Sequence, residues 1–192
     1  EAAAGPDYPV AMNASAKALG MTGTNFTNAN GLHSVKNYTT ARDLAVLTRA
    51  IRTEFPQYSS YFGIEAVKYG ATVERNYNIL LGRFAGADGM KTGFVCASGF
   101  NLVGTATQNG RTLAAIVLGE KSQVARAEKA ANLLAEGFNA ATTGTTLAAL
   151  ANDPASKAKD MRAEVCTEAA AADRWDGREI DGRVTFSTPY IR

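Results

Sequence analysis

The centre of the sequence is Gly89-Met90-Lys91-Thr92-Gly93-Phe94-Val95-Cys96, and its most informative part is the triplet Lys91-Thr92-Gly93. An ammonium group, a hydroxyl group and a residue without a side chain follow one another where a glycine-rich loop gives way to a β-rich run. On the edge of a strand, Lys91 and Thr92 offer a positive charge and a hydrogen-bond donor to a carboxylate, and Gly93 lets another backbone approach closely. The triplet therefore predicts a strand edge along which an extended peptide pairs.

Two other interpretations of the triplet compete with the peptide site. The simpler one is an exposed strand start with a turn glycine, because three residues alone are a weak motif. The other is a phosphate-binding loop, which requires a glycine directly before the lysine. Met90 occupies that position, so the phosphate loop is excluded, and the rest of the sequence has to decide between the remaining two.

Short segments on both sides of the triplet carry a resemblance to a known family. They lie at residues 12–21, 24–26, 30–32, 38–44, 76–81, 88–93 and 97–103. In their order and spacing they resemble the penicillin-binding D-alanyl-D-alanine carboxypeptidases, the low-molecular-mass serine enzymes that trim the stem peptides of peptidoglycan. The resemblance runs over about residues 1–138 and favours the peptide site over a plain strand start.

The resemblance implies a fold, an activity and partners. The fold is of the α/β class in its α+β form, with a β-lactamase/transpeptidase-like antiparallel sheet flanked by helices. The activity is that of a serine-type carboxypeptidase, which removes the terminal D-alanine from a stem peptide through an acyl-enzyme and is acylated by penicillins. The implied partners are stem peptides ending in D-Ala-D-Ala and β-lactam antibiotics. The implied location is the bacterial periplasm, and no cofactor is implied.

Four residues of this chain receive roles from the resemblance. Lys91 would orient the proton relay and attract the carboxylate of the substrate, and Thr92 would donate a hydrogen bond to that carboxylate. Gly93 would permit the close approach of the substrate backbone. The backbone N–H of Phe94 would form half of an oxyanion hole, paired with the N–H of the serine nucleophile.

The chain also departs from the family pattern. Members carry three motifs in the order Ser-x-x-Lys, Ser-x-Asn and Lys-Thr-Gly, and only the third is recognised here. Ser156-Lys157-Ala158-Lys159 matches the first pattern literally, but it lies in a solvated stretch and in the wrong order. A reactive serine instead requires a desolvated lysine at the start of a buried helix. We therefore do not expect Ser156 to be the nucleophile.

This departure predicts how the chain is organised. We expect residues 1–139 to be the C-terminal portion of a penicillin-binding, transpeptidase-like catalytic domain whose N-terminal part is missing, and residues 140–192 to be an Ala-rich polar tail. The N-terminal segment with the Ser-x-x-Lys nucleophile is then either lost or present as a second polypeptide. A non-catalytic module that binds peptidoglycan peptides or a protein partner stays open as the alternative function.

Composition and cysteine usage exclude several other classes of protein. The net charge is +2, and the basic residues are scattered and interleaved with acidic ones, so nucleic-acid binding is not supported. No apolar run approaches the ~20 residues of a membrane span. Cys96 and Cys166 lack the spacing and the histidines of a zinc site, so no metal is expected. In an oxidising periplasm, a Cys96–Cys166 disulfide that holds the tail beside the strand is favoured, with two unpaired thiols as the alternative.

Hydrophobic periodicity and turn signals predict the elements around the triplet. Helices are predicted at residues 6–19, 40–55 and 122–138, strands at 64–69, 72–75, 94–96, 99–107 and 112–118, and a hairpin turn at 108–111. The last helix has an apolar face that predicts contact with the sheet: Val124, Ala127, Ala131, Leu134 and Phe138. The aromatic residues at 58–62 are expected in the core rather than in a binding groove.

Overall fold

The computed structural model describes residues 5, 7–142, 144–153, 155, 157–173 and 186–191. Its helices are α1 (Tyr8–Ala18), α2 (Ala41–Glu54), α3 (Ser59–Phe62), α4 (Gln123–Asn139), α5 (Arg162–Val165) and α6 (Glu168–Asp173). Its strands are β1 (Ala66–Tyr69), β2 (Thr72–Arg75), β3 (Ala87–Val95), β4 (Gly99–Gln108) and β5 (Arg111–Glu120). The chain divides into two compact units, Glu1–Phe55 with Thr143–Ala158 and Pro56–Thr142 with Lys159–Arg192.

The second unit is built on an antiparallel sheet with the strand order β3-β4-β5. A tight hairpin joins β4 to β5, and its central residues Asn109 and Gly110 have positive φ angles of 51° and 77°. Two such residues in succession give a turn whose twist matches that of the flanking strands. The predicted Asn-Gly hairpin is therefore confirmed. Strands β1 and β2 form a separate two-stranded sheet with exposed side chains.

Helix α4 covers one face of the three-stranded sheet and forms the core with it. Ser122 caps the helix, because its hydroxyl oxygen accepts a hydrogen bond from the amide of Ala125 (3.0 Å). The predicted apolar face is buried or packs against the core: Val124, Ala127, Ala131, Leu134 and Phe138. A Cβ on Gly104 of β4 would lie 3.0 Å from Cδ1 of Leu80 and 3.6 Å from the Cβ of Ala130, so glycine at this position leaves room for the leucine. The prediction that this helix closes the sheet is confirmed.

Strand β3 begins earlier than the sequence predicted. The residue pattern predicted a strand at residues 94–96, whereas β3 begins at Ala87 and contains the whole triplet, in agreement with the strand edge that the triplet itself predicted. Gly89, which was expected in the preceding loop, is buried in the strand, and a Cβ on it would lie 2.8 Å from the hydroxyl oxygen of Thr105. The expected start is wrong because the glycine is used here for close packing against β4 and not for a turn.

Two aromatic side chains that were expected in the core are exposed. Tyr58 and Tyr61 are 51% and 64% exposed, and their rings stack with centroids 6.2 Å apart. Tyr61 lies on α3, which is a single turn, and Tyr58 ends the short 3-10 helix before it, so only one side of this segment meets β3. Phe62 occupies that side, with its Cβ 3.0 Å from the position of a Cβ on Gly89. The core expectation is therefore wrong for the two tyrosines.

Parts of the region 140–192 are folded. Met161 and Val165 are buried, and two short helices, α5 and α6, lie in this region. Ser156 lies outside the described residues, as does the tail segment 174–185. The division of the chain at residue 139 stays a prediction. Within the described part of the chain, every helix is too short or too polar to cross a membrane.

The first unit is organised around the buried carboxylate of Asp43 at the start of α2. Its oxygens accept hydrogen bonds from the amide of Gly23, the hydroxyl of Thr24 (both 2.8 Å) and the side-chain amide of Asn152 (2.9 Å). Arg42 adds an ion pair at 3.1 Å. Burial raises the pKa of Asp43, but the hydrogen bonds from Asn152, Thr24, Gly23 and Arg42 outweigh burial and hold the pKa below its ordinary value.

Replacing Asp43 by asparagine is expected to destabilise the first unit by about 2–3 kcal/mol, because buried donors lose a charged acceptor. The depressed pKa means that the wild-type carboxylate stabilises the fold above the ordinary value of 3.8 and ceases to do so as the pH falls through the folded-state pKa. The asparagine variant should lack this acid-dependent loss. Hydrogen exchange of the Gly23 amide measures both effects. The substitution Asp7→Asn, at an exposed position, is the control. Equal protection in Asp43→Asn and wild type would contradict the prediction.

Candidate active site

The triplet lies on an edge strand of the sheet. Strand β3 pairs with β4, with Lys91 opposite Val103 and Thr92 opposite Leu102. The other side of β3, called the outer edge here, carries no strand in the part of the chain that the structure describes. Lys91 is exposed, Thr92 is half-buried, and the ammonium group of Lys91 donates to the carbonyl oxygen of Thr92 (2.5 Å). A positive charge therefore lies next to backbone that has space for a further chain.

Gly93 is exposed, and its missing side chain faces open space. A Cβ on it would have no heavy atom of the described residues within 4 Å. Its φ angle is not among the positive ones, so the backbone conformation does not require glycine there either. Gly89, on the same strand, shows the contrast, because its Cβ would collide with Thr105 and Phe62. The packing of this chain therefore explains Gly89 but not Gly93.

Phe94 is the last of the four predicted site residues, and its ring packs against the sheet. It packs on the ring of Phe100 with centroids 4.2 Å apart, and Phe100 is fully buried. This contact fixes the strand at the position whose backbone N–H was assigned to the oxyanion hole. The structure thus brings Lys91, Thr92, Gly93 and Phe94 together on consecutive positions of β3. Their roles in binding and chemistry stay predictions.

The loop at residues 76–81 holds the start of β3. Asn78 is buried; its side-chain amide donates to the carbonyl oxygen of Gly89 (2.7 Å) and its side-chain oxygen accepts from the amide of Leu80 (3.2 Å). Leu80 and Leu81 are buried anchors of the same loop. The asparagine side chain thus satisfies backbone groups of the loop and of β3, while the two leucines anchor the loop in the core.

A buried arginine, which sequence reasoning missed, lies behind the triplet. Arg126 of α4 is 2% exposed and donates to the carbonyl oxygens of Gly93 and Asn101 (both 3.2 Å) and of Tyr77 (2.9 Å). Its guanidinium carbon lies 5.5 Å from the centre of the Phe100 ring. Burial lowers the pKa of Arg126 to about 10, so the side chain is a cation at neutral pH. In the sequence it is one charged residue on a helix with many, and nothing marks it as buried.

A disulfide joins the end of β3 to the C-terminal region. Cys96 directly follows the strand and is bonded to Cys166, which is 70 residues away in sequence, with the two Cα atoms 5.7 Å apart. The amide of Met161 donates to the carbonyl oxygen of Ala97 (3.1 Å), and Val165 is fully buried. This C-terminal segment is therefore fixed beside the strand that carries the triplet.

The described residues contain no group of three or more His, Cys, Asp or Glu side chains that could hold a metal ion. Near the disulfide, a hydrogen bond and ion pair from Lys159 lower the pKa of Glu164, with a smaller contribution from Lys121. These charged groups lie on the surface. Lys159 pairs with Glu164 within the C-terminal segment, and Lys121, which directly follows β5, also pairs with Glu164. The site chemistry that the described residues offer is thus that of an ammonium group, a hydroxyl group and backbone amides.

The sequence matches the family model described as D-alanyl-D-alanine carboxypeptidase over residues 4–122. The D-alanyl-D-alanine carboxypeptidase DacD of Salmonella typhimurium is 35% identical over 133 residues, which are 69% of this chain and 34% of that protein. DacC of Escherichia coli is 35% identical over 137 residues, which are 71% of this chain and 34% of that protein. The chain thus spans about a third of the length of these curated relatives.

Solved structures agree with the sequence relatives. Penicillin-binding protein D2 from Listeria monocytogenes in its cefotaxime-bound form superposes with a TM-score of 0.66 and 32% identity, over 70% of this chain and 56% of that one. Penicillin-binding protein 5 from Haemophilus influenzae gives a TM-score of 0.66 and 30% identity, over 70% and 40% of the two chains. The predicted fold class, an antiparallel sheet flanked by helices of the transpeptidase type, is confirmed. Fold, family model and relatives agree, and the chain belongs to the D-alanyl-D-alanine carboxypeptidase family.

Proposed function

We propose that this chain is part of a serine-type D-Ala-D-Ala carboxypeptidase, with residues 1–139 forming part of the catalytic domain. The enzyme removes the terminal D-alanine from peptidoglycan stem peptides in the bacterial periplasm through an acyl-enzyme, and penicillins acylate the same serine. The observation that carries the proposal is the outer edge of β3, where Lys91 and Thr92 adjoin a glycine whose missing side chain serves no packing purpose in the described chain.

Each residue of the triplet has a role in this proposal. A substrate that pairs along the outer edge of β3 brings its terminal carboxylate to the ammonium group of Lys91 and the hydroxyl of Thr92, which stabilise it by charge-assisted hydrogen bonds. Gly93 provides the space for the substrate backbone. The N–H of Phe94 donates to the oxygen of the scissile carbonyl, which becomes negatively charged when the serine attacks.

The serine nucleophile comes from outside these 192 residues in this proposal, on a segment that carries the Ser-x-x-Lys and Ser-x-Asn motifs. Such a segment would also cover exposed surface of the second unit. In the part of the chain that the structure describes, no strand pairs with the side of β5 that faces away from β4, and Leu118 of β5 is 40% exposed. Unpaired strand edges with apolar side chains favour association with further chain. That segment belongs to the same polypeptide or to a second one.

Replacing Gly93 by alanine is expected to lower the rate of D-alanine release from an acyl-D-Ala-D-Ala peptide about 10²-fold, because a methyl group displaces the substrate backbone from the strand edge. The free energy of unfolding should stay within about 0.5 kcal/mol of wild type, since the added Cβ meets open space. The rate and the stability are to be measured on the native protein, meaning this chain with whatever polypeptide it is produced with.

Gly89→Ala is the matched control on the same strand. Its added Cβ would lie 2.8 Å from the hydroxyl oxygen of Thr105 and 3.0 Å from the Cβ of Phe62, so this variant should lose about 1–3 kcal/mol of stability. A Gly93→Ala protein that is destabilised like Gly89→Ala, or that releases D-alanine at the wild-type rate, would refute the assigned role of Gly93. Binding of the peptide by wild type without any release of D-alanine would favour the non-catalytic module instead.

A further inference from the structure

Arg126 is a buried cation whose partners among the described residues are all neutral. It is 2% exposed, and its hydrogen bonds go to three carbonyl oxygens from three segments of the second unit: Tyr77, Gly93 and Asn101. No carboxylate of the described residues lies within ion-pair distance of it. Burying a charge without a counter-ion costs several kcal/mol of folding free energy. An uncharged, apolar side chain would fill the same space at a lower cost. Keeping this charge buried behind the triplet therefore lowers the stability of the fold.

The carbonyl group of Gly93 and the N–H of Phe94 belong to the same peptide group. A trans peptide group is planar, and its C=O and N–H bonds point in opposite directions. Gly93 is paired with Asn101 of β4, and the guanidinium of Arg126 adds a hydrogen bond to the oxygen of Gly93 at 3.2 Å, which helps to hold the direction of that oxygen. The N–H of Phe94 is thereby directed away from Arg126. The ring contact of Phe94 with Phe100 at 4.2 Å holds the next residue of the strand in place.

The same hydrogen bond also changes how strongly the peptide group donates. A cationic donor on a carbonyl oxygen draws electron density from the amide, which makes its N–H a stronger hydrogen-bond donor. The effect is larger in a buried, low-dielectric environment. Arg126 is therefore placed to act on the oxyanion donor without contacting the substrate.

We propose that Arg126 is a positioning residue for the reaction: from behind β3 it aims and polarises the Gly93–Phe94 peptide group, so that the N–H of Phe94 stabilises the oxyanion more strongly. The inference rests on the proposed function, because it presupposes that this N–H meets the scissile carbonyl oxygen. When the serine oxygen bonds to the carbonyl carbon, the serine proton passes to the lysine of the Ser-x-x-Lys motif, and the π electron pair of the C=O bond moves onto the carbonyl oxygen. The polarised N–H stabilises this charge.

Arg126→Met tests the proposal in the native protein, because methionine fills much of the space without charge or donors. Removing an oxyanion donor costs about 10²- to 10³-fold in rate, and weakening one should cost less. We therefore expect the limiting rate constant of acylation by benzylpenicillin to fall about tenfold, while the concentration for half-saturation changes less than twofold. Arg126→Lys keeps the charge and should give an intermediate rate constant.

Arg111→Met is the matched control, since Arg111 also donates to a carbonyl oxygen, that of Ala140 at 3.2 Å, at the far end of β5. The Arg111→Met protein should be acylated at the wild-type rate.

A second readout is the infrared stretch of the acyl-enzyme ester carbonyl, which shifts to higher wavenumber when its hydrogen bonds weaken. That shift is expected in Arg126→Met, to a smaller extent in Arg126→Lys, and not in Arg111→Met. A purely structural role for Arg126 predicts lower stability with an unchanged stretch.

Wild-type rate and stretch in folded Arg126→Met would overturn this inference alone. If Arg126→Met fails to fold, Arg126→Lys decides: a shifted stretch supports the inference, and a wild-type stretch overturns it. Failure of wild type itself to be acylated would instead refute the proposed function. The two failures are thus distinguishable in one set of measurements.

Discussion

Replacing Lys91 by alanine in the native protein is expected to lower the rate constant of acylation by benzylpenicillin at least about 10²-fold. The ammonium group is exposed on the outer edge of β3 and lies 2.5 Å from the carbonyl oxygen of Thr92. In the proposed function it attracts the carboxylate of the ligand and orients the proton relay. Its loss removes a charge-assisted contact, which the neighbouring hydroxyl of Thr92 cannot replace.

Lys129→Ala is the control for this prediction. Lys129 is an exposed residue of α4, so its replacement changes the net charge of the second unit by the same amount away from the triplet. The control should be acylated at the wild-type rate and both variants should unfold like wild type. Near-normal acylation of Lys91→Ala would refute the role of the triplet.

Removing the disulfide is expected to destabilise the second unit by about 4 kcal/mol. The bond between Cys96 and Cys166 closes a loop across a sequence separation of 70 residues, and a loop of this length restricts the unfolded chain by about that free energy. The double variant Cys96→Ser/Cys166→Ser should show the full loss in a denaturant titration. Met161 and Val165 remain to hold the segment by apolar contacts alone.

Reduction of the wild-type protein provides the internal control for the disulfide. Reductant should lower the wild-type free energy of unfolding to that of the double variant, and it should leave the double variant unchanged. Equal stability of oxidised and reduced wild type would contradict the prediction. A change in stability that also appears in the double variant would indicate an effect of the reductant unrelated to this bond.

The sequence predicted those parts of the fold that local patterns determine. The Asn109-Gly110 pair defines its hairpin by backbone conformation alone. The apolar face of α4 follows from helical periodicity. The family, and with it the sheet, could be recognised because several ordered segments share the spacing around Lys91-Thr92-Gly93.

The parts that could not be predicted depend on contacts between distant segments. In the sequence, Gly89 cannot be distinguished from a turn glycine. Only the position of Thr105 opposite it shows that it is packed inside a strand. The buried carboxylate of Asp43 accepts a hydrogen bond from Asn152, which is more than a hundred residues away in sequence. Arg126 is surrounded by carbonyl groups from two strands and a loop, and no local pattern records such an arrangement.

The central claim is that this chain supplies the Lys-Thr-Gly strand of a penicillin-binding carboxypeptidase. Fluorescent-penicillin labelling of the native protein, resolved on a denaturing gel with the intact mass of every band, tests it most directly. We predict a covalent label on a serine of a Ser-x-x-Lys motif outside these 192 residues, and loss of that label in Lys91→Ala. A folded, monodisperse native protein that takes up no label, or that carries its label on Ser156, would contradict the claim.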